Sequence, residues 1–236
     1  EGNIVEFLIE GAPSGLKVWD IADIFDIKEV PLQISGNAAK GIRPADSVTE
    51  YVAFDPDGNF PEPEFVGEVN NQDLHGLDTP EFLIISHPDF LGSARELAEF
   101  HRAFDDMDVE VVSTDMVYNE FSSGAKNAAG IRNFIKMFYD RDEELKYVLL
   151  FGDGSYDNRD INKAGLAFIP TYQSDNSLNP VASFVTDDYY VILDDGESVY
   201  NGYVDLGIGR IPSSNTYQAE LMVSKIKNYN SADALG

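Results

Sequence analysis

Three apolar runs separated by two helical patterns occupy the stretch from Pro80 to Asp153. The runs are "EFLIISH", "VEVVS" and "YVLLFGD", and between them lie "GSARELAEFHRAF" and "AKNAAGIRNFIKMFYDR", whose apolar residues recur at helical spacing. Near-continuous apolar strands joined by helices require a parallel sheet that is covered on both faces, with right-handed crossovers. The sequence therefore predicts an α/β fold with a parallel or mixed sheet flanked by helices.

The residues before this series have a different pattern. Apolar and polar residues alternate in "IVEFLIE" and "LKVWDI", which predicts short antiparallel strands. Three prolines and one glycine in "PDGNFPEPE" exclude a helix there. We therefore divide the chain into a β-rich lead-in segment, residues 1–70, and an α/β subdomain, residues 71–236.

The residues after Asp160 are irregular and then regain a pattern. Residues 184–210 contain two strand-like runs around the turn residues "DDGE", and this arrangement predicts a hairpin attached to the sheet. The last helix is "TYQAELMVSKIKNY", with Thr216 as its N-cap and with an inward face made of Ala219, Met222, Val223 and Ile226. Ser93 is the predicted N-cap of the first helix.

Composition excludes several classes of function. With 236 residues and 43% hydrophobic content the chain can bury a sizeable core, but its net charge of −26 opposes binding to nucleic acid or anionic lipid. It has no cysteine, and hence no disulfide, thiolate ligand or thiol nucleophile. No apolar stretch approaches the roughly 20 residues of a membrane span. Because the chain begins with Glu1 and ends directly after a predicted helix, we expect it to be a piece of a longer protein.

Motifs for nucleotide binding and for serine hydrolysis are incomplete. The chain contains no phosphate-loop motif, and "GIG" at 207–209 lacks the third glycine of a dinucleotide site. Ser155 lacks the supporting glycine of a nucleophile elbow. The three histidines, His75, His87 and His101, are not at metal-binding spacing, so we expect them to be solvated or hydrogen-bonded. His87 has the best position for a function, since it follows a strand of the parallel series.

Carboxylates are the remaining candidates for chemistry. The loops "GDGSYD", "TDD" and "DDGE" would converge at one edge of the sheet, and oxygen-rich loops suit calcium. The candidate ligands of a structural calcium ion are Asp153, Asp157, Asp187, Asp188, Asp194 and Asp195. Neither "DPDGN" nor "DGSYDNRD" fits the EF-hand rule, because Val66 and Ala164 stand where the final ligand belongs. Turn capping by these aspartates is the alternative interpretation, and no other cofactor is predicted.

Four stretches together resemble the first half of the catalytic domain of gingipain-type cysteine peptidases. They are "NQDLHGLDTPEFLIISHPDF", "YVLLFGDGSYDNRD", "PTYQSDNSLNPVASFVTDDYY" and "VDLGIGRIPSSNTYQAELMVSKIKNY". The resemblance implies a caspase-like or Rossmann-like subdomain. In that family a cysteine and a histidine in a glycine-flanked motif act from a second subdomain. This chain has neither a cysteine nor "GHG", so no catalytic role can be assigned to any of its residues.

Within the family, the resemblance is strongest to the sortases of the type IX secretion system. It implies a parent that is a cysteine-type endopeptidase at the outer membrane surface of a Gram-negative bacterium, where it removes C-terminal signals from cargo and links the cargo to lipopolysaccharide. The implied partners are the catalytic second subdomain, the secretion components and the cargo, and the isolated chain is expected to be inactive.

Two other functions stay open. One is a free-standing surface module that binds proteins through acidic, cation-binding loops and through aromatic side chains such as Tyr172 and Tyr189. The other is a calcium-dependent carboxylate hydrolase centred on Asp153. The carboxylates of such a hydrolase would have to meet in a cleft, and sequence spacing does not show whether they do.

Overall fold

The structure, a computed structural model, describes residues 3–175 and 178–230. The chain forms two compact units, Glu1–Val69 and Asn70–Gly236. No helix among the described residues has the length and apolar character needed to cross a bilayer.

The first unit consists of short antiparallel strands, as their alternating sequence predicts. Two three-stranded sheets form, with strand orders β1-β5-β4 and β3-β2-β6. Val18, Val30 and Ala39 are fully buried within this unit. The strands are β1 (Ile4–Glu10), β2 (Lys17–Asp20), β3 (Lys28–Glu29), β4 (Leu32–Ser35), β5 (Ala38–Pro44) and β6 (Tyr51–Phe54).

The second unit is built on a four-stranded sheet of order β12-β9-β7-β8, in which every pair of neighbours is parallel. Two 3₁₀ helices accompany the regular elements, at Pro88–Phe90 and at Asp188–Val191. The regular elements are β7 (Phe82–Ser86), α1 (Leu91–Phe104), β8 (Val109–Ser113), α2 (Thr114–Phe121), α3 (Ala128–Tyr139), β9 (Tyr147–Phe151), β10 (Tyr172–Gln173), β11 (Val185–Thr186), β12 (Gly207–Ile211) and α4 (Thr216–Tyr229).

Helices cover both faces of this sheet, which explains why its two central strands, β7 and β9, are almost entirely apolar. Leu83, Ile84 and Ile85 of β7 are successive residues, and all three are fully buried. One face packs against α2 and α3 through a cluster that includes Leu83, Ile85, Val148, Leu150, Ile131, Phe134 and Phe138. The other face packs against α1 and α4 through a cluster that includes Ile84, Phe151, Ile211, Ala94, Leu97, Ala219 and Val223. The predicted α/β fold is confirmed.

The hairpin predicted for residues 184–210 is wrong. β11 pairs with β10 over two residues, and β12 pairs in parallel with β9. Between them the chain turns into the 3₁₀ helix Asp188–Val191. Four consecutive residues at the end of this helix and directly after it are all buried, namely Tyr190, Val191, Ile192 and Leu193. An exposed hairpin strand would bury only every second residue.

Two predicted helix caps are also wrong. α1 begins at Leu91, directly after a 3₁₀ turn, so that Ser93 lies inside the helix and is buried. α4 is capped by Asn215, whose side chain accepts a hydrogen bond from the Gln218 amide, and Thr216 is already the first helical residue. The sequence prediction also missed α2, which follows β8 directly and is capped by Ser113.

Candidate functional site

A cleft lies at the carboxyl ends of β9 and β12, where the loop after β9 meets β11 and Arg210 of β12. We call it the β9–β12 cleft. It has a volume of about 370 Å³ and is lined by Asp153, Gly154, Ser155, Tyr156, Thr171, Val185, Thr186, Asp187 and Arg210. Open parallel sheets bind their ligands beyond the carboxyl ends of their strands, so this is the position at which the fold favours a site.

Arg210 of β12 organises the cleft. Its Nε and Nη2 atoms each donate a 2.7 Å hydrogen bond to one carboxylate oxygen of Asp187. Its Nη1 atom donates to the carbonyls of Gly152 and Ile169, at 3.0 and 3.1 Å, and Nη2 also donates to the Pro170 carbonyl at 3.2 Å. The guanidinium group thereby joins three loop segments with all of its donors.

The charge of Arg210 is stabilised in place, although its side chain is only 11% exposed. Burial by itself would lower the pKa of Arg210, but the hydrogen bonds and the negative charge of Asp187 outweigh that effect and raise the pKa. A bidentate arginine–carboxylate pair has a fixed geometry as well as strong attraction. Asp187 and Arg210 therefore form a rigid wall of the β9–β12 cleft.

The loop of Asp153 is held tightly on its other side. The Asp153 carboxylate accepts a hydrogen bond from the Gly154 amide, and its backbone bonds to Ser213 and Ile169. At Gly154 a Cβ atom would lie 2.4 Å from Cγ2 of Thr171, so only glycine fits there. The "GDG" turn thus brings the backbone close to Thr171, whose buried Oγ1 finds no hydrogen-bond partner within the described residues.

Asp157 lies in the same loop and caps a turn. Its carboxylate accepts hydrogen bonds from the amides of Ile161 and Asn162, at 3.0 and 2.8 Å. The hydrogen bonds from Asn162 and Ile161 lower the pKa of Asp157. For Asp157 this geometry corresponds to turn capping, the alternative to calcium binding that the sequence leaves open.

The other candidate carboxylates lie apart from Asp153 and Asp187. Asp194 accepts a hydrogen bond from the Tyr139 hydroxyl, which raises the pKa of that hydroxyl to about 12. Asp195 lies 3.3 Å from the Nζ atom of Lys136. Asp188 is exposed at the start of the second 3₁₀ helix. The structure brings only two of the six, Asp153 and Asp187, to the β9–β12 cleft.

These positions bear on how calcium would bind. Calcium takes six to eight oxygen ligands. In residues 3–175 and 178–230, no three histidine, aspartate or glutamate side chains gather where they could hold a metal ion, and both oxygens of Asp187 already bond to Arg210. A site at Asp153 would therefore need mainly backbone and water oxygens. The calcium site stays a prediction.

Each histidine has a hydrogen-bonding neighbour, as expected from the sequence. The Nδ1 atom of His75 lies 2.8 Å from Glu120, and that of His101 lies 2.5 Å from Asp105. His87 accepts a hydrogen bond from the Asp89 amide, and burial lowers the pKa of the His87 imidazole. His87 therefore caps the 3₁₀ helix that follows β7.

Sequence reasoning missed Arg210 as a functional residue. The sequence offers one signal, which is a charged residue inside the strand "GIGRI". In a sheet covered by helices on both faces, such a residue is buried and needs a partner. The pair formed by Asn158 and Thr171 was also missed. The side-chain amide of Asn158 donates a 2.7 Å hydrogen bond to the Thr171 carbonyl and accepts a 3.0 Å hydrogen bond from the Thr171 backbone amide.

Comparison with known proteins identifies the family. Residues 75–236 match peptidase family C25. Among solved structures, the chain is similar to dimeric latent PorU from Porphyromonas gingivalis, with a TM-score of 0.84 and 31% sequence identity. The match covers 96% of this chain and 23% of the PorU chain, so the chain spans less than a quarter of that relative. No curated protein matches the chain. This chain therefore belongs to peptidase family C25, the gingipain-type cysteine peptidases.

Proposed function

We propose that this chain is a noncatalytic supporting part of a C25 peptidase, in which residues 71–236 form the first α/β subdomain of the peptidase domain. One observation carries the proposal. The family cleaves peptides with a cysteine nucleophile, and none of the 236 residues is a cysteine. Cleavage by the parent protein therefore needs a thiol from outside this chain.

The β9–β12 cleft supports a scaffolding role. The guanidinium group of Arg210 holds the loops at Gly152, Ile169 and Asp187 together at the carboxyl edge of the sheet. A catalytic subdomain that docks against this edge would meet loops already fixed in position, which lowers the entropy cost of association. The match covers only 23% of the PorU chain. A parent protein as long as PorU would therefore have ample length outside this chain for a catalytic subdomain.

For the whole parent protein we propose the role of a cell-surface sortase. It would remove C-terminal signals from type IX secretion cargo, link the cargo to lipopolysaccharide, and act at the outer membrane surface of a Gram-negative bacterium. Its partners would be the secretion components and the cargo. The 31% identity to PorU supports this role.

The test compares peptide cleavage by three proteins. These are the 236-residue chain, the full parental protein, and the parental protein with its nucleophilic cysteine replaced by alanine. A fluorogenic peptide that spans a cargo cleavage site is the substrate. The parental protein should cleave it, and the other two should give only the background rate. Cleavage by the isolated chain above the rate of the alanine variant would overturn the proposal.

An aromatic surface favours a second candidate, the free-standing protein-binding module. The rings of Tyr172 and Tyr189 stack at 4.7 Å, and the guanidinium carbon of Arg132 lies 5.7 Å from the centre of the Tyr189 ring. Phe184 and Tyr200 extend the aromatic surface, with ring centres 5.8 Å apart. Aromatic side chains are common in the centres of protein interfaces. Under this proposal, Tyr200→Ala should weaken capture of cargo proteins by the isolated chain, while Tyr217→Ala on α4 should not.

The predicted calcium ion belongs to the same candidate and has its own test. Calorimetric titration of the chain with calcium should give a binding signal that Asp153→Asn abolishes and Asp195→Asn weakens less. Equal signals from all three proteins would assign the heat to non-specific binding by the acidic surface.

A further inference from the structure

β12 is an edge strand whose outer side carries backbone groups available for hydrogen bonding. Among the strands that the structure describes, it pairs only with β9. The Gly207 amide donates to the Lys146 carbonyl, and the Ile211 carbonyl accepts from Gly152. In a parallel ladder, alternate residues face the same neighbour, so the intervening Ile208 directs its N–H and C=O groups away from β9. Such an edge is a template for a further strand.

An apolar groove lies beside this edge, at the amino-terminal end of the sheet. We call it the Gly207 groove. Its volume is about 630 Å³, and it is lined by Glu81, Phe82, His101, Asp105, Met107, Tyr147, Val148, Leu149 and the strand residues 207–209. Gly207 and Gly209 have no side chains to fill it. A strand added along Ile208 would direct alternate side chains into the space above the two glycines.

Carboxylates at the lip of the groove indicate the charge of the occupant. Glu81 lies there in a 2.8 Å pair with Lys146, whose side chain is 57% exposed. Asp105 lies there beside His101. An exposed ion pair contributes at most about 1 kcal/mol, so an incoming cation can replace Lys146 at low cost. The net charge of −26 adds long-range attraction for cations.

We propose that the Gly207 groove and the β12 edge bind an extended, basic peptide segment by strand addition. The segment would form hydrogen bonds with the outward backbone groups of Ile208. Its apolar side chains would lie against Phe82, Tyr147 and Leu149, and a lysine or arginine would reach Glu81 or Asp105. A second copy of this chain is a poor occupant, because two chains that each carry −26 repel one another. The proposal does not depend on the proposed function.

Binding of a synthetic peptide to the 236-residue chain tests the proposal. The probe is a fluorescein-labelled octapeptide in which serine alternates with valine or lysine, so that its valine and lysine side chains share one face of the extended chain. Its binding is measured by fluorescence anisotropy at low salt. One control peptide has glutamate in place of lysine, and the other has N-methyl groups on alternate amides. The lysine peptide should bind at least about tenfold more tightly than either control. Equal binding of all three peptides, or no binding of the lysine peptide, would overturn the proposal.

Variants locate the peptide on the protein. Gly209→Leu should fill the groove without a clash, because a Cβ atom at this position would have Leu149 as its nearest neighbour, at 3.9 Å. Ile208→Pro removes an outward N–H group but no hydrogen bond to β9. Glu81→Lys reverses a charge at the lip, and Glu220→Lys makes the same change in net charge on the exposed side of α4. Gly209→Leu, Ile208→Pro and Glu81→Lys should each weaken peptide binding about tenfold or more. The control Glu220→Lys should weaken it less than about twofold.

Circular dichroism establishes whether each variant is folded. If Gly209→Leu is unfolded, Gly209→Val takes its place. If Ile208→Pro is unfolded, its place is taken by a chain made by ligation in which the Ile208 amide is N-methylated. If the folded groove variants bind the lysine peptide as tightly as the wild-type chain does, the site lies elsewhere and the proposal is wrong. Sedimentation that shows a dimer broken by Ile208→Pro would assign the edge to a second copy and would also overturn it.

Discussion

Arg210 shows how one buried charge can hold several loops together. Its five donors serve the Asp187 carboxylate and the carbonyls of Gly152, Ile169 and Pro170. A lysine has one compact charge and cannot reproduce this planar fork. The buried ion pair need not add net stability, but removing one partner leaves the other charge without compensation.

Replacing Arg210 should therefore destabilise the second unit. We expect Arg210→Met to lower the free energy of unfolding by about 3 to 5 kcal/mol, since Asp187 and three carbonyls lose their donors. Denaturant unfolding followed by far-UV circular dichroism measures this free energy. The double variant Arg210→Met with Asp187→Leu should lose less than the single variant, because no buried charge is left unpaired. A single variant as stable as the wild-type chain would contradict the role given to Arg210.

Glu120 should make stability depend on pH. Its carboxylate accepts hydrogen bonds from the Leu74 amide, Gln72 and His75. Burial would raise the pKa of Glu120, but these hydrogen bonds outweigh burial and lower the pKa below the ordinary 4.5. A lowered pKa stabilises the folded state above about pH 4.5, and this contribution is lost as the pH falls through the folded-state value.

The variant Glu120→Gln measures that contribution. It should be less stable than the wild-type chain at pH 7, by about 1 to 3 kcal/mol, because hydrogen bonds to a charged acceptor are lost. The difference should shrink as the pH is lowered below about 4. Urea unfolding at several pH values checks this, with the exposed Glu143→Gln as the matched control. A difference between wild type and Glu120→Gln that does not change with pH would exclude the charged form of Glu120 as its source.

At the scale of single residues, the sequence predicted candidate site residues but not the side chains with which they pair. Asp187 stood out because it follows a strand-like run, and the cleft position of Asp153 and Asp187 follows from the rule for parallel sheets. The pairing of Asp187 with Arg210 does not follow from spacing. The two residues are 23 positions apart, across a 3₁₀ helix and a loop whose course depends on tertiary packing.

Among the elements, those with a long and strong pattern could be predicted and the short ones could not. The order β7, α1, β8, α3, β9 follows from apolar runs and helical stripes, as the burial of Phe134 and Phe138 on α3 illustrates. α2 has eight residues and follows β8 without a turn signal, so the sequence gives no boundary there. The 3₁₀ helix at Asp188–Val191 contains Tyr189, Tyr190 and Val191, which are residue types that favour strands, and packing decides its form.

The N-terminus of α4 provides a direct test of a helix boundary. Asn215 accepts a hydrogen bond from the Gln218 amide, whereas Thr216 lies one residue inside the helix. Asn215→Ala should therefore lower the free energy of unfolding by about 1 kcal/mol, and Thr216→Ala should change it by a few tenths at most. Thermal unfolding of the two variants and the wild-type chain measures both effects. The reverse order would mean that the helix begins at the residue predicted from the sequence.

At the scale of the whole molecule, net charge could be known from the sequence, and its distribution could not. The chain has 42 acidic and 16 basic residues. Several basic side chains are in ion pairs, such as Arg210 with Asp187 and Lys227 with Glu96. Because acidic residues outnumber basic ones so strongly, most carboxylates must lie among like charges even after every pair has formed. The folded state therefore carries a repulsive energy that the extended chain relieves.

Salt should therefore stabilise this protein. Raising sodium chloride from about 0.01 to 0.1 M shortens the Debye length from about 30 to 10 Å and screens repulsion between surface carboxylates, so the unfolding midpoint should rise. The variant Glu143→Gln with Glu144→Gln removes two exposed charges beside Asp142 and Asp108, and its midpoint should rise less with salt. Differential scanning calorimetry at several salt concentrations measures both slopes. A midpoint that falls with salt would mean that attractive pairs such as Lys227–Glu96 outweigh the repulsion expected from a charge of −26.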